Sequence, residues 1–168
     1  RTTDSGNMNI LFKATVWAAL AATTGCASIS HTPPSTRNVE TGRVYNLPYD
    51  RAWAEAVDWF AGTNIKIEKI EKSSGLLTAK YSLAAPKKYL DCGTFEVTGN
   101  QGGVNIERQG DLNVTVRKVD DLRTRVNVNF FGEFRLYTSD AWDGRPISRS
   151  GRCVSTGLLE YSILNSIY

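Results

Sequence analysis

Residues 124–137, TRVNVNFFGEFRLY, contain the clearest secondary-structure pattern in the sequence. Val126, Val128 and Phe130 alternate with the polar residues Arg125, Asn127 and Asn129, which predicts a strand with one buried and one solvated face. The doublet of Phe130 and Phe131 beside Gly132 indicates a β-bulge. A half-buried strand of this kind is typical of an antiparallel sheet, and we expect the rest of the domain to be organised around it.

Turn residues divide the remainder of the chain into short strands. A turn at 73–75 separates two alternating segments and predicts a β-hairpin. Further turns are predicted at 99–103, 109–111 and 120–121, and a longer loop at 138–152. The strands predicted in this way are 42–47, 65–70, 77–81, 90–97, 104–108 and 112–119.

Two helices flank this run of strands. The apolar spacing from Trp53 to Phe60 is helical, with Asp50 as the predicted N-cap and Gly62 as the stop signal. Residues 155–167 place further apolar side chains on one helical face. The order β-α-β-β-β-β-β-α predicts an α+β fold, in which an antiparallel sheet of about six strands carries two helices on one face.

Three stretches carry a resemblance to a known class of domain. They are VYNLPYDRAWAEAVDWF at 44–60, IKIEKIEKSSGLLTAKY at 65–81 and CVSTGLLEYSILNSI at 153–167. The chain resembles small helix-grip, or TATA-binding-protein-like, domains of bacterial envelope lipoproteins, including those of the lipoprotein subunit of the outer-membrane barrel-assembly machinery. The resemblance covers about residues 42–167 and implies a fold rather than an activity.

The segment 8–26 precedes this domain and has the pattern of a secretory signal. Lys13 is followed by the apolar run 14–22, which is about half the length that a membrane-spanning helix needs. The small residues that end at Cys26 resemble the lipobox of bacterial lipoproteins, in which the Cys thiol is acylated with a diacylglycerol and the signal is cut before it. In that family Leu usually stands three residues before the Cys, where this chain has Thr23.

The lipobox resemblance implies a domain organisation. Residues 1–25 are upstream sequence and signal peptide, 26–41 are the lipidated Cys and a flexible tether rich in Ser, Thr and Pro, and 42–168 are a single α+β domain. The acyl chains would anchor the protein stably, and Ala27 after the Cys is similar to the outer-membrane-directed class. Two alternatives are a cleaved signal without lipid and a buried Ala-rich helix in which Cys26 is incidental.

The two other cysteines, Cys92 and Cys153, lie 61 positions apart and lack the spacing of a metal or redox motif. An oxidising periplasm would preserve a disulfide between them. The bond would stabilise the fold by about 4 kcal/mol in the chain-entropy model and would clamp the closing helix onto the sheet. Two buried free thiols are the alternative.

The composition argues against most enzymatic chemistry. The single His, His31, lies in the predicted tether, which argues against the usual pairs of a nucleophile and a His base. The acidic pair Asp120 and Asp121 lies in a predicted turn, where we expect both carboxylates to be solvated rather than enclosed in a catalytic cleft. The net charge of +3 is too small for a nucleic-acid footprint. We therefore expect no catalysis, no cofactor and no metal.

These observations predict a non-enzymatic lipoprotein at the periplasmic face of the outer membrane that docks another envelope protein in an accessory or assembly role. The alternative is a carrier or sensor of a small apolar ligand in a cleft between helix and sheet. The residues expected to line such a cleft are Tyr45, Trp59, Tyr81 and Phe95. Trp142, in a polar loop, either folds back as a lid or is exposed as an interface anchor, and we favour the lid.

Overall fold

The structure, a computed structural model, describes residues 28–81, 87–99 and 102–168. Within these ranges the chain forms nine strands and two helices. The strands are β1 (Ser28–Thr32), β2 (Gly42–Tyr45), β3 (Lys66–Glu71), β4 (Leu76–Tyr81), β5 (Leu90–Asp91), β6 (Thr94–Thr98), β7 (Asn105–Lys118), β8 (Thr124–Ser139) and β9 (Pro146–Ser155). The helices are α1 (Tyr49–Ala61) and α2 (Leu158–Leu164). The predicted α+β class is confirmed, with more strands than the six expected.

Seven of these strands form one curled antiparallel sheet. Six of them follow the order β3-β4-β7-β8-β9-β5, and the seventh, β2, pairs with β8 beside this path. β7 and β8 pair over their whole shared length, from Asn105 opposite Tyr137 to Lys118 opposite Thr124. The other edge of β8 is divided, because β2 pairs with its first residues and β9 pairs from Gly132 onward. β8 is therefore the central strand of the sheet, as its sequence pattern predicts.

The alternation along β8 separates the two faces of the sheet. Every even-numbered residue from Thr124 to Thr138 is buried, whereas the odd-numbered residues are exposed or half-buried. α1 packs against β7 and β8 on the buried face through Ala52, Ala56 and Phe60, and α2 packs against β8. The apolar spacing of the first helix thus has the packing role that the sequence predicts.

β1 and β6 form a separate two-stranded sheet over another part of the buried face. The ring of His31 in β1 stacks on Phe95 of β6 at 4.9 Å between centroids. Both rings contact Phe134 of β8, at centroid distances of 4.7 Å and 4.6 Å. This small sheet, like the helices, therefore contributes to the core.

The predicted tether at 26–41 is wrong for the residues that the structure describes. Ser28–Thr32 forms β1, and the chain that follows is held by an ion pair of 3.1 Å between Arg37 and Asp91. The carbonyl of Thr41 accepts a hydrogen bond of 2.7 Å from the backbone N–H of Val128. β1 is rich in Ser and Thr and has one large aliphatic residue, so its composition is that of a linker. Only its pairing with β6 in the structure identifies it as a strand.

The turn predicted at 109–111 does not form, and the strands predicted at 104–108 and 112–119 are the single strand β7. Gly110 lies inside this strand opposite Gly132. A Cβ at Gly110 would lie 2.6 Å from the ring of Phe130. This glycine therefore makes room for an aromatic ring rather than bending the chain. The pairing is also continuous across Phe130 and Gly132, so the predicted bulge is absent there.

Three further boundaries differ from the prediction. The loop predicted at 138–152 contains most of β9, whose Ser and Arg residues gave no apolar alternation. The strand predicted at 90–97 is divided into β5 and β6, since Gly93 between them adopts a φ of 77°. Pro48, and not Asp50, is the N-cap of α1. The β3–β4 hairpin is confirmed.

The predicted disulfide between Cys92 and Cys153 is confirmed, with Cα atoms 4.1 Å apart. Both residues are buried, at 4% exposure. Cys92 lies between β5 and β6, and Cys153 lies in β9, five residues before α2 begins. The bond therefore fastens the β5–β6 segment to the sheet, and not α2 as the sequence analysis expected.

Candidate functional site

Two of the aromatic residues predicted to line a ligand cleft connect other elements to α2. The buried hydroxyl of Tyr45 donates a hydrogen bond of 2.5 Å to the carbonyl of Leu164. Burial raises the pKa of this hydroxyl, so it stays protonated and keeps donating. The indole N–H of Trp59 donates to the hydroxyl of Ser162 at 3.2 Å. Both side chains thus have a structural role in holding α2.

The other two predicted residues, in β4 and β6, contact β8 at other positions. The ring of Tyr81 contacts Phe130 edge-on at 6.3 Å between centroids, and Phe95 contacts Phe134 at 4.6 Å. Tyr45 pairs with Thr124, ten residues before Phe134. Ten residues of strand span about 33 Å. The structure therefore does not bring the four aromatic residues into one cleft.

Trp142 lies in the loop between β8 and β9 and is 92% exposed. The lid interpretation is therefore wrong, because the ring does not fold back onto the domain. Exposing a whole indole to water is unfavourable, and large aromatic side chains in such positions are enriched at protein interfaces. The second interpretation of the sequence analysis, an interface anchor, agrees with this placement.

The loop that carries Trp142 is held by hydrogen bonds at both ends. The Asp140 carboxylate accepts from the backbone N–H of Trp142 at 2.8 Å, and the Asp143 carboxylate accepts from that of Arg145 at 3.0 Å. Backbone bonds of 2.9 Å from Asp140 to Arg145 and from Gly144 to Asp140 close the loop. Asp side chains commonly stabilise turns in this way. The loop therefore presents the indole from a fixed backbone.

A second exposed apolar residue lies at the same end of the sheet. Val104 is 44% exposed and directly precedes β7. The neighbouring Gly102 donates its N–H to the carbonyl of Ser139 at 2.8 Å, and its carbonyl accepts from the hydroxyl of Thr138 at 3.3 Å. These bonds tie the segment to the end of β8 from which the Trp142 loop begins.

The residues weighed for catalysis have structural partners. The Nε2 atom of His31 lies 2.8 Å from the carbonyl oxygen of Cys92. Arg123 donates to Asp120 at 2.7 Å and holds the pKa of that carboxyl below its usual value, whereas a general acid needs a raised pKa. Asp121 is paired with Lys118 at 2.5 Å. Among the described residues, no group of three His, Cys, Asp or Glu side chains is placed to hold a metal ion.

Three arginines lie close together in the sequence, at 145, 149 and 152, but each has a different partner in the structure. Arg145 is paired with Asp143 at 2.9 Å, and Arg149 donates to the carbonyl of Ile29 at 3.1 Å. Arg152 lies opposite Glu133 in the β8–β9 pairing.

Sequence analysis missed one group of residues that the fold brings together. Arg108 of β7 lies with Arg37 and Lys87 around a cavity beside the disulfide. Arg108 stands opposite Phe134, on the buried side of β8. Arg108 occupies a position where the alternation along β7 predicts an apolar residue, and such a charged residue indicates a candidate site. The alternation reaches Arg108 only if Gly110 lies inside the strand, which the sequence does not reveal.

No protein-family model matches the sequence, and no curated protein matches it. In the part of the chain that the structure describes, the helices are too short and too polar to span a membrane. The predicted signal segment and Cys26 lie outside the described residues.

Proposed function

We propose that this protein is a non-enzymatic lipoprotein of the bacterial envelope that docks another envelope protein through Trp142. The observation that carries the proposal is an indole that is 92% exposed on a loop with a fixed backbone. Trp is enriched among the residues that dominate binding energy at interfaces. A loop already ordered before binding also lowers the entropic cost of association.

The proposed membrane anchor is a lipid on Cys26, at the periplasmic face of the outer membrane. Its support is the apolar run 14–22 that ends in small residues directly before the cysteine. A buried disulfide agrees with an oxidising compartment. The proposal includes the helix-grip arrangement, which is supported by two helices packed against a curled antiparallel sheet.

Quantitative capture of the partner tests the docking role. The full-length protein is used as bait in detergent-solubilised envelope, and the affinity for each captured protein is then measured with purified components. We expect Trp142→Ala to weaken the specific complex by roughly thirtyfold or more, which corresponds to loss of a hot-spot residue. The matched control is Leu122→Ala, which truncates another exposed residue, at 72%, in the β7–β8 turn. Equal affinity of the two variants would contradict a docking role for Trp142.

Fatty-acid labelling tests the anchor separately. Metabolic labelling with a fatty-acid probe should mark the wild-type protein and not the Cys26→Ser variant, because only the thiol accepts the diacylglycerol. Labelling that persists in the Ser variant would exclude lipidation at this residue, whatever the outcome of the docking experiment.

A further inference from the structure

A cavity of about 510 Å³ lies between the buried face of the sheet and the β5–β6 segment. Its size is within the range of small-molecule sites. Three basic side chains line it, from Arg37, Lys87 and Arg108, together with the carboxylate of Asp91. The lining thus has an excess of two positive charges.

Arg108 is the residue that sets this cavity apart from ordinary surface. It shares a face of β7 with Ile106, Gly110 and Leu112, and it stands opposite Phe134, which is fully buried. Arg108 is half-buried, and within the described ranges its guanidinium has neither an acidic partner nor a hydrogen bond. Burying an unpaired charge costs free energy. The position therefore suits an anion that binds from solution.

The other charged groups leave room for such an anion. Arg37 pairs with Asp91 at 3.1 Å while half of its side chain stays exposed. The second oxygen of Asp91 accepts the backbone N–H of Gly93 at 3.0 Å, so this carboxylate is already occupied. Lys87 is exposed and has no ion-pair partner among the described residues. Asp91 therefore does not neutralise Lys87 or Arg108.

The cavity also has an apolar side. Leu90 is buried, and Ile106 and Phe95 are half-buried, and all three line the cavity together with the basic groups. An inorganic ion would leave these apolar side chains against water. A ligand that carries an apolar body beside its charge would cover them.

We propose that this cavity binds a small organic anion. Its oxyanion group would be held by Arg108, Arg37 and Lys87, and its apolar body would lie against Ile106 and the side chains beside it. The guanidinium fork of Arg108 suits a carboxylate or phosphate, which it can bind through two parallel hydrogen bonds. The proposal is independent of the docking role of Trp142, since it concerns a different surface.

Calorimetric titration of the full-length chain in a neutral detergent tests this proposal with three probes. Phenyl phosphate supplies the oxyanion and the apolar body, inorganic phosphate supplies the charge alone, and phenol supplies the ring alone. We expect phenyl phosphate to bind at least tenfold more tightly than either of the others. Equal affinity for phenyl phosphate and inorganic phosphate, equal affinity for phenyl phosphate and phenol, or no binding of any probe would overturn the proposal.

Variants then locate the site. Arg108→Gln should weaken the binding of phenyl phosphate by about tenfold to a hundredfold, which is the loss of one or two hydrogen bonds to a charged group. The matched control is Arg125→Gln, on the exposed face of β8, which should leave the affinity unchanged. Asp91→Asn should strengthen binding, because it removes the carboxylate from the lining.

A second basic residue keeps the test decisive if Arg108→Gln does not fold. Lys87→Gln changes an exposed side chain, so the fold should be retained, and we expect phenyl phosphate to bind several-fold more weakly. Unchanged affinity in the folded basic variants, or an equal loss in the Arg125→Gln control, would exclude this cavity as the binding site.

Discussion

The disulfide between Cys92 and Cys153 supports a quantitative prediction about stability. Both thiols are replaced, because a single remaining thiol could form mixed disulfides. The Cys92→Ser, Cys153→Ser double variant changes two buried side chains by one atom each, so its main effect is the loss of the crosslink. We therefore expect the fold to persist with a lower free energy of unfolding.

The sequence separation of 61 residues determines the expected magnitude. In the chain-entropy model, a closed loop of this length restricts the unfolded chain by about 4 kcal/mol at 25 °C. The structure also indicates which element opens first. β5 pairs with β9 through Leu90 opposite Ser155 and Asp91 opposite Val154 alone. The β5–β6 segment should therefore lose protection before α2, which keeps several buried apolar residues of its own.

Urea unfolding of the oxidised wild type and the double variant measures the free energy, and hydrogen exchange locates the opening. Reduction of the wild type should reproduce the loss, and reduction of the double variant should change nothing. A loss below about 1 kcal/mol would refute the chain-entropy reasoning. Earlier exchange in α2 than in the β5–β6 segment would refute the assignment of the crosslink to that segment.

Three further changes test local packing and electrostatics. Gly132→Ala should lower the free energy of unfolding by about 1–3 kcal/mol, because the new Cβ would lie 2.5 Å from a backbone carbonyl oxygen. The control is Gly103→Ala, which has open space around the new Cβ and should change the free energy of unfolding little in the same urea titration. Tyr45→Phe should cost about 1 kcal/mol by chemical unfolding, since it removes a buried hydrogen bond. Two hydrogen bonds lower the pKa of Asp91, the larger effect coming from the backbone N–H of Gly93 and the smaller from Arg37. The ionised carboxylate therefore stabilises the fold fully at pH values above its unfolded pKa of about 3.9. This stabilisation is lost as the pH falls through the lower pKa of the folded state. Asp91→Asn should therefore lower Tm at pH 7, and the difference should disappear in acid; a difference that grows in acid would contradict this sign.

Local patterns predicted those elements whose apolar residues have a clear period. α1 and the β3–β4 hairpin could be found in this way, because helical or alternating spacing directly reflects burial on one side. β9 could not, since its outward and edge positions carry Ser and Arg and its pairing with β8 is largely a matter of backbone hydrogen bonds. The turn predicted at Gly110 is wrong for a related reason. A glycine that leaves space for a neighbouring aromatic ring inside a strand cannot be distinguished in the sequence from a glycine in a turn.

The candidate sites depend on tertiary structure to different degrees. Trp142 could be identified from its polar loop, but its exposure could not, because the Asp140 and Asp143 bonds that shape the loop are seen only in the structure. The cavity around Arg108 required the register of β7 with β8, the course of the chain near Arg37 and the position of β5. None of these follows from local sequence, since each is set by long-range pairing.

β1 changes the geometry of the proposed anchor. Ser28 lies two residues after Cys26, so at about 3.3 Å per residue the attachment point of a lipid on that cysteine would lie within about 7 Å of the folded domain, and not at the far end of the flexible tether predicted at 26–41. The carbonyl of Ile29 accepts a hydrogen bond from Arg149, near the start of β9. The first residues of β1 therefore lie towards the end of β9 that leads to Trp142, so the chain that would lead to the proposed anchor leaves the described domain at the same end as the indole.

This arrangement places a lipid surface in competition with a protein as the contact of Trp142, because Trp side chains also favour the membrane–water interface. The two contacts differ in what they require. The fluorescence emission of Trp142 is obtained as the difference between the spectra of the wild type and of Trp142→Phe. If the ring docks a protein, this emission should stay unchanged when vesicles of zwitterionic lipid are added. It should shift to the blue when the purified partner is added. A blue shift of that difference signal with vesicles alone would assign the ring to the lipid and remove the main support for protein docking.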